Sequence, residues 1–211
     1  MTKVKICGIT NLEDARHAIE CGADMLGFNF YRGSKRHVEP AIAADIVREL
    51  SGSTVEYVGV FVNAEAAEIA EIVRQVGMDI VQLHGDEPEM FIDDLRNSTP
   101  AEIIKVFRVR DADDFQDATG SKSTYVMLDS YSEKMFGGSG RTFNWDIAQE
   151  ISILLPEAIF LAGGLTPDNV ADAIRTVRPY AVDVASGVES SPGKKDPEKV
   201  AAFIRAAKEA L

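Results

Sequence analysis

Short, almost continuously apolar segments alternate with amphipathic segments eight times along this chain, and the alternation leaves few possible folds. The apolar segments are rich in β-branched residues, as strands buried on both faces must be. The predicted strands are Val4–Cys7, Met25–Phe30, Tyr57–Val62, Ile80–His84, Ile103–Val109, Tyr125–Asp129, Ala158–Ala162 and Ala181–Ala185. The predicted helices are Asn11–Cys21, Pro40–Leu50, Ala64–Val76, Pro88–Arg96, Asp111–Ala118, Asp146–Leu154, Pro167–Val177 and Pro197–Leu211. Strict alternation predicts a parallel sheet with crossover helices.

Eight strand–helix units favour closure into a (β/α)8 barrel over a doubly wound open sheet. An open sheet often carries a Gly-x-Gly-x-x-Gly turn after its first strand, whereas here the first strand runs into Cys7-Gly8-Ile9-Thr10. With 211 residues the chain is near the lower limit for this fold, since typical barrels have about 250 residues. We therefore predict an α/β protein with a single (β/α)8 TIM-barrel domain spanning residues 1–211.

The composition excludes several classes of protein. The 22 basic residues against 34 acidic ones give a net charge of −12, which argues against nucleic acid as a partner. A hydrophobic content of 45% excludes a disordered chain. There is no run of about 18 apolar residues and no apolar segment of the secretory type at the N-terminus. We therefore expect a cytoplasmic monomer or homodimer with no membrane partner.

Glycine-rich loops follow the predicted strands six, seven and eight. Barrels of this kind place the active site at the C-terminal ends of the strands and often bind phosphate in the last loops. Glycine lets backbone amides approach an anion, and Ser186-Gly187 can begin a short helix with free amides. Tight turning alone explains any one of these loops, but three together favour a phosphate site. The candidate residues are Gly138, Gly140, Gly163, Gly164, Ser186 and Gly187.

Two proton-transfer candidates stand at strand ends. Cys7 ends the first strand, where we expect either a small buried hydrophobe or a partly ionised thiol that acts as a base. Asp129 ends the apolar sixth strand, where an unpaired carboxylate is costly. A carboxyl group in such a place can be a general acid, or a hydrogen-bonded structural aspartate.

Arg36 belongs to the basic cluster 31–37, and its guanidinium fork suits a carboxylate, although a solvated loop is the alternative. The three histidines, His17, His37 and His84, have no ligand-like spacing, so we predict no metal site. Cys7 and Cys21 are too few for a disulfide framework.

Motifs along the whole chain resemble one family, the phosphoribosylanthranilate isomerases of tryptophan biosynthesis. The matching stretches are Lys5-Ile6-Cys7-Gly8-Ile9-Thr10, Gly22-Ala23-Asp24, Gly27-Phe28, Ser34-Lys35-Arg36, 58–63, Val81-Gln82-Leu83-His84-Gly85-Asp86-Glu87, Leu128-Asp129, 137–143, Leu161-Ala162-Gly163-Gly164-Leu165 and 182–189. The resemblance implies an Amadori rearrangement of a phosphosugar, an aldose–ketose isomerisation without metal or cofactor.

The resemblance also implies roles for individual residues. Asp129 aligns with the family's general acid and Cys7 with its base. Arg36 aligns with the residue that contacts the anthranilate carboxylate, and Asp183 with an aspartate near the anthranilate amine. We expect His84 to bind substrate as well, and the glycine loops to hold the phosphate.

Three other functions are alternatives to the isomerase that the resemblance implies. An isomerase of the histidine pathway would carry an aspartate at the end of strand one, where this chain has Cys7. An indole-glycerol-phosphate synthase would need a lysine acid at the strand ends and an N-terminal extension. A noncatalytic phosphosugar-binding protein would keep the glycine loops but would not need both Cys7 and Asp129, so their joint presence favours the enzyme.

Overall fold

The eight predicted strands form a closed parallel barrel in the computed structural model, which describes residues 1–109, 118, 120–130, 145–154 and 159–211. The strands are β1 (Lys3–Cys7), β2 (Met25–Asn29), β3 (Glu56–Phe61), β4 (Ile80–Leu83), β5 (Glu102–Val109), β6 (Tyr125–Ser130), β7 (Ile159–Leu161) and β8 (Ala181–Val184). Each pairs with the next in sequence, and β8 pairs with β1 to close the ring. The predicted fold class is confirmed.

Helices alternate with the strands, and the described residues form seven of them. They are α1 (Leu12–Glu20), α2 (Pro40–Glu49), α3 (Ala66–Val76), α4 (Glu89–Ser98), α5 (Trp145–Leu154), α6 (Val170–Val177) and α7 (Pro197–Lys208). Of the helix predicted at Asp111–Ala118, only Ala118 lies within the described residues, and Ala158 of the seventh predicted strand lies outside them. After β8, the short helix expected at Ser186-Gly187 is present as a 3₁₀ turn (Ser186–Val188). It is followed by a hairpin of β9 (Glu189–Ser191) and β10 (Lys194–Lys195), which was not predicted.

The two proline-marked helix starts have different outcomes. The Asp196 side chain accepts hydrogen bonds from the amides of Glu198 and Lys199, with proline at the first turn of α7, as predicted. The predicted start at Pro167 is wrong by about one turn, because α6 begins at Val170. The Asn169 side chain accepts from the Thr166 amide and donates to the Gly164 carbonyl, which holds the residues before α6 in a turn.

Alternating residues of the strands fill two apolar layers. One layer lies between the barrel and its helices and includes Val4, Ile6, Leu26 and Phe28. The other fills the barrel interior and comprises Met25, Val58, Ile80, Ile104, Val106, Met127, Phe160, Ala162 and Ala181. Because successive side chains of a strand point to opposite faces, positions 3, 5 and 7 of β1 share the interior face. Lysine and cysteine therefore enter the barrel from this strand.

Candidate active site

A cavity of about 340 Å³ opens at the C-terminal ends of the strands. Its wall contains every predicted site residue that the structure describes: Cys7, Arg36, His84, Asp129, Gly163, Gly164, Asp183, Ser186 and Gly187. The predicted phosphate-binding residues Gly138 and Gly140 lie outside the described residues. The structure thus brings residues from six loops and strand ends to one cavity.

The Cys7 thiol ends β1 on the cavity wall and is 8% exposed. Burial raises its pKa above the ordinary value of 9.0, while the charges of Lys5 and Lys195 act in the opposite direction and that of Asp183 adds to the rise. Of the two states expected from the sequence, burial favours the neutral thiol. A base at this position needs a cation to stabilise the thiolate.

Lys5 and Asp183 form a buried ion pair one layer below Cys7. The two residues are register partners across β1 and β8, and the Lys5 Nζ lies 2.8 Å from the Asp183 Oδ1. Burial disfavours the ammonium, but the charges of Asp183 and Cys7 outweigh this and raise the pKa of Lys5. The neighbouring anions therefore favour the charged form of Lys5 inside the barrel.

Asp129, near the end of β6, lies beside His84, which directly follows β4. The His84 Nε2 is 3.3 Å from the Asp129 Oδ2, within ion-pair distance but without hydrogen-bond alignment. The other ring nitrogen, Nδ1, is 3.0 Å from the Gln82 Nε2. Gln82 is 1% exposed and lines the cavity, and its Oε1 has no hydrogen-bond partner. The histidine ring is thus held between a buried amide and the candidate acid.

Arg36 is fixed by a two-point contact with Glu189. Its Nε donates to the Glu189 Oε1 at 2.8 Å and its Nη2 to the Oε2 at 2.7 Å. The same carboxylate accepts from the Lys195 Nζ at 3.2 Å, and that ammonium also donates to the Cys7 carbonyl at 2.6 Å. Hydrogen bonds from Arg36 and the charge of Lys195 lower the pKa of Glu189 although burial alone would raise it.

The glycines of the last two loops are structurally required. Gly163 and Gly164 have φ angles of 84° and 68°, a region that side chains rarely adopt. A Cβ on Gly187 would lie 2.0 Å from the Leu165 carbonyl oxygen, so this position admits no side chain. Both loops therefore expose backbone to the cavity.

Within the described parts of the chain, no group of three or more His, Cys, Asp or Glu side chains is arranged to hold a metal ion. In the same residues, no helix has the length and apolar character to cross a bilayer.

Four residues around the cavity were not predicted as site residues: Lys5, Gln82, Glu189 and Lys195. Lys5 and Gln82 had a usable signal, because each precedes a predicted site residue by two positions on a strand and so shares its face. Glu189 ends the family-like stretch 182–189, but nothing in that stretch marked it as a site residue. Lys195 had no signal, since the hairpin that carries both residues has no apolar alternation. Their positions depend on tertiary contacts with Arg36 and Cys7.

Comparison with known proteins gives one consistent result. The family model for N-(5'phosphoribosyl)anthranilate (PRA) isomerase matches residues 4–206. The N-(5'-phosphoribosyl)anthranilate isomerase of Trichlorobacter lovleyi is 50% identical over 211 residues, covering 100% of both chains. Generated monomers of the dimeric Thermotoga maritima enzyme of that name match over 99% of each chain, with 41% identity and a TM-score of 0.87. A phosphoribosylanthranilate isomerase in complex with reduced 1-(o-carboxyphenylamino)-1-deoxyribulose 5-phosphate matches over 99% of each chain, with 40% identity and a TM-score of 0.85.

Proposed function

Because the chain belongs to the N-(5'-phosphoribosyl)anthranilate isomerase family, we propose that its cavity isomerises N-(5'-phosphoribosyl)anthranilate to 1-(2-carboxyphenylamino)-1-deoxyribulose 5-phosphate. The observation that carries the proposal is the presence of Cys7 and Asp129 on the wall of one cavity, at the ends of β1 and β6. An Amadori rearrangement needs one group that gives a proton and one that accepts a proton. The reaction belongs to tryptophan biosynthesis.

Asp129 is the proposed general acid. Its carboxyl group protonates the furanose ring oxygen, the bond from that oxygen to C1 breaks, and the sugar opens to a Schiff base. His84, 3.3 Å away, holds the carboxyl in place and contacts the opened sugar. This assignment agrees with the position of Asp129 at a buried strand end, 4% exposed.

Cys7 is the proposed base. As thiolate it takes the proton from C2 of the Schiff base, and the electron pair of that bond forms the enolamine. The enolamine then tautomerises to the amino ketone, so the product is an isomer of the substrate and no external oxidant or reductant is needed. The chemistry requires no cofactor.

Binding of the substrate's two anionic groups is proposed for two different parts of the cavity. Backbone amides near Gly163, Gly164, Ser186 and Gly187 hold the phosphate, together with the loop that carries Gly138 and Gly140. Arg36 binds the anthranilate carboxylate with the donors that Glu189 leaves free. Asp183 lies near the anthranilate amine. A protein of net charge −12 can then bind a small anion, because the donors are local.

The reaction is tested directly by the loss of phosphoribosylanthranilate fluorescence after the purified protein is added, with and without a chelator. The proposal expects a protein-dependent loss that the chelator does not change. No loss would contradict the enzyme assignment, and a loss that the chelator abolishes would contradict metal-free catalysis.

The assignment of acid and base is tested by Cys7→Ser and Asp129→Asn. Each variant is expected to lower kcat by about 10²–10⁴-fold, the usual contribution of a general acid or base, while the affinity for a reduced product analogue is kept. Cys21→Ser is the matched control, because this thiol is not among the cavity-lining residues. Turnover close to that of the unmodified enzyme in either variant would exclude that residue's role.

We also propose a cytoplasmic location and a monomeric or homodimeric state with a phosphosugar as the only partner class. Both cysteines are free, and a thiol base must remain reduced, as cytoplasmic thiols do. Sedimentation of the purified protein distinguishes monomer from dimer.

A further inference from the structure

The barrel interior contains a lysine whose role the proposed reaction leaves open. Lys5 is fully buried and precedes Cys7 by two positions on β1, so both side chains enter the barrel from the same face of the strand. A buried ammonium is costly unless it is paired, and Asp183 provides one partner at 2.8 Å. A buried ion pair next to the apolar cluster of the barrel interior requires an explanation beyond stability.

Gly27 on β2 shows how closely the ammonium approaches the thiol. Gly27 is the register partner of Cys7, and a Cβ at this position would lie 2.9 Å from the Cys7 Sγ and 3.0 Å from the Lys5 Nζ. Both atoms therefore border the space that the missing side chain leaves. No side chain of the adjacent strand separates the positive charge from the sulfur.

Four other charged groups surround Cys7. The Lys195 ammonium donates to the Cys7 and Ala185 carbonyls and to Glu189, which occupies its three donors. Glu189 also holds the guanidinium of Arg36 through two hydrogen bonds. Asp183 is an anion and disfavours a thiolate. A thiolate at Cys7 can therefore pair with Lys5 without breaking the hydrogen bonds that Arg36 and Lys195 make to Glu189.

We infer that Lys5 is the counter-ion of the Cys7 thiolate and that Asp183 holds it in place. The inference rests on the proposed role of Cys7 as the base. Lys5 acts through Cys7 and is a positioning residue, and no proton leaves its ammonium during the reaction. When the thiol ionises, the proton leaves the sulfur and the new negative charge faces the ammonium across the space beside Gly27.

The two neighbours of the thiol have opposite electrostatic effects. Burial raises the pKa of Cys7, the charge of Lys5 lowers it, and the charge of Asp183 raises it. Burial alone would lower the pKa of Lys5. The charges of Asp183 and Cys7 together outweigh burial and raise this pKa, which favours the ammonium. Removal of Lys5 should therefore raise the midpoint of the thiol titration, whether or not Asp183 is charged.

The test is a titration of the thiolate by its ultraviolet absorbance, in a Cys21→Ser background that leaves Cys7 as the only thiol. The same protein with Cys7→Ser supplies the baseline, so tyrosine ionisation is subtracted. Lys5→Met is expected to raise the thiolate midpoint by about 1–3 pH units, the usual effect of an opposite charge within a few ångströms. A midpoint unchanged by Lys5→Met would overturn the inference.

Lys3→Met is the matched control, because Lys3 lies on the same face of β1 and pairs with Glu56 at 2.8 Å. The inference expects this variant to leave the midpoint unchanged, and an equal shift would overturn it. If Lys5→Met does not fold, the test compares Asp183→Asn with the double variant Lys5→Met/Asp183→Asn, which leaves no unpaired buried charge. The double variant should have the higher midpoint, and equal midpoints would contradict the inference.

Titration also separates this inference from the proposed function. Loss of activity in Cys7→Ser with no effect of Lys5→Met on the midpoint would overturn the counter-ion alone. If Lys5→Met shifts the midpoint but Cys7→Ser keeps its turnover, the interaction between Lys5 and Cys7 stands. The proposed role of Cys7 as the base is then excluded.

Discussion

At the scale of single residues, the Glu189 carboxylate connects several charged and polar groups of the site. Its carboxylate is bound by Arg36, Lys195 and the Gly193 amide, and its side chain is 5% exposed. One carboxylate thus joins the proposed carboxylate-binding arginine to the lysine that contacts the Cys7 carbonyl. Without it, the buried Lys195 ammonium and the partly buried Arg36 guanidinium would lose the anion that both contact.

Glu189→Gln is expected to lower the free energy of unfolding by about 3–5 kcal/mol near neutral pH, the usual cost of leaving a buried charge without its partner. The pKa of Glu189 in the folded protein is below its ordinary value of 4.5. Its contribution to stability is therefore complete above pH 4.5 and is lost as the pH falls through the folded-state pKa. Chemical denaturation at a series of pH values measures the effect.

The difference in stability between the unmodified protein and Glu189→Gln should therefore shrink on acidification. Glu209→Gln, at an exposed carboxylate after α7, is the control and should show no such change. A difference between Glu189→Gln and the unmodified protein that is equal at neutral and strongly acidic pH would contradict the assignment.

At the scale of secondary-structure elements, Glu87 joins two loops to a strand. Its carboxylate accepts from the amides of Asn63, after β3, and Gly85, after β4. It also pairs with Lys105 of β5 at 2.7 Å, and both side chains are buried. The loop that follows His84 is therefore tied to its neighbours on both sides of the barrel rim.

Glu87→Ala is expected to destabilise the fold by about 3–5 kcal/mol, because it leaves the Lys105 ammonium buried and unpaired. Combining Glu87→Leu with Lys105→Met should recover part of this loss, since no uncompensated charge remains. Urea denaturation measures both. Glu71→Ala, which removes an exposed partner of Arg74 in α3, is the control and should cost less than about 1 kcal/mol. Equal losses in Glu87→Ala and Glu71→Ala would contradict the role of Glu87.

Sequence patterns predicted those elements whose formation depends on local burial. The strands were recognisable because both faces are apolar, and α7 because Asp196-Pro197 is a complete helix start. The start of α6 was misplaced because Asn169 makes side-chain bonds back along the chain, which no pattern reveals. The hairpin of β9 and β10 was missed for a similar reason, since its polar residues are placed by contacts across the barrel mouth.

At the scale of the whole molecule, the two ends of the barrel have different contents. The cavity and its charged groups lie at the C-terminal ends of the strands. Away from the cavity, Phe160 is fully buried and packs edge-on against Tyr125 at 5.4 Å, while Tyr125 stacks on Tyr180 at 5.3 Å. The barrel interior therefore separates a polar reactive end from an aromatic end that fills space.

Phe160→Ala is expected to lower the free energy of unfolding by about 3–5 kcal/mol, the usual cost of this truncation in a core. The kcat of the folded enzyme should remain within about threefold, a rate change below 1 kcal/mol, because Phe160 does not line the cavity. Thermal denaturation and the fluorescence assay test the two statements. Phe160→Leu should lose less stability, and a large fall in kcat would contradict the separation of the two ends.

The same division explains how much of the site was predictable. The position of the site followed from the fold, since strand ends and their loops meet at one face of a barrel. Cys7 and Asp129 were therefore recognisable from the sequence as neighbours of the cavity. The protonation environment was not, because Asp183 and Lys195 are far from Cys7 in the sequence, and the effect of every nearby charge, including that of Lys5, depends on distance and burial.

Closure of the barrel between β1 and β8 also fixes the order in which the site is assembled during synthesis. Cys7 leaves the ribosome 176 residues before Asp183 (183 − 7), and Glu189 and Lys195, which complete its surroundings, follow later still. Chains emerge from their N-terminus, so the nascent protein carries its thiol for most of its synthesis without the groups that enclose it. Ribosome-bound chains that end before β8 should therefore have a Cys7 that solvent thiol reagents can reach, and Cys7 is enclosed only after β8 and the hairpin of β9 and β10 have emerged.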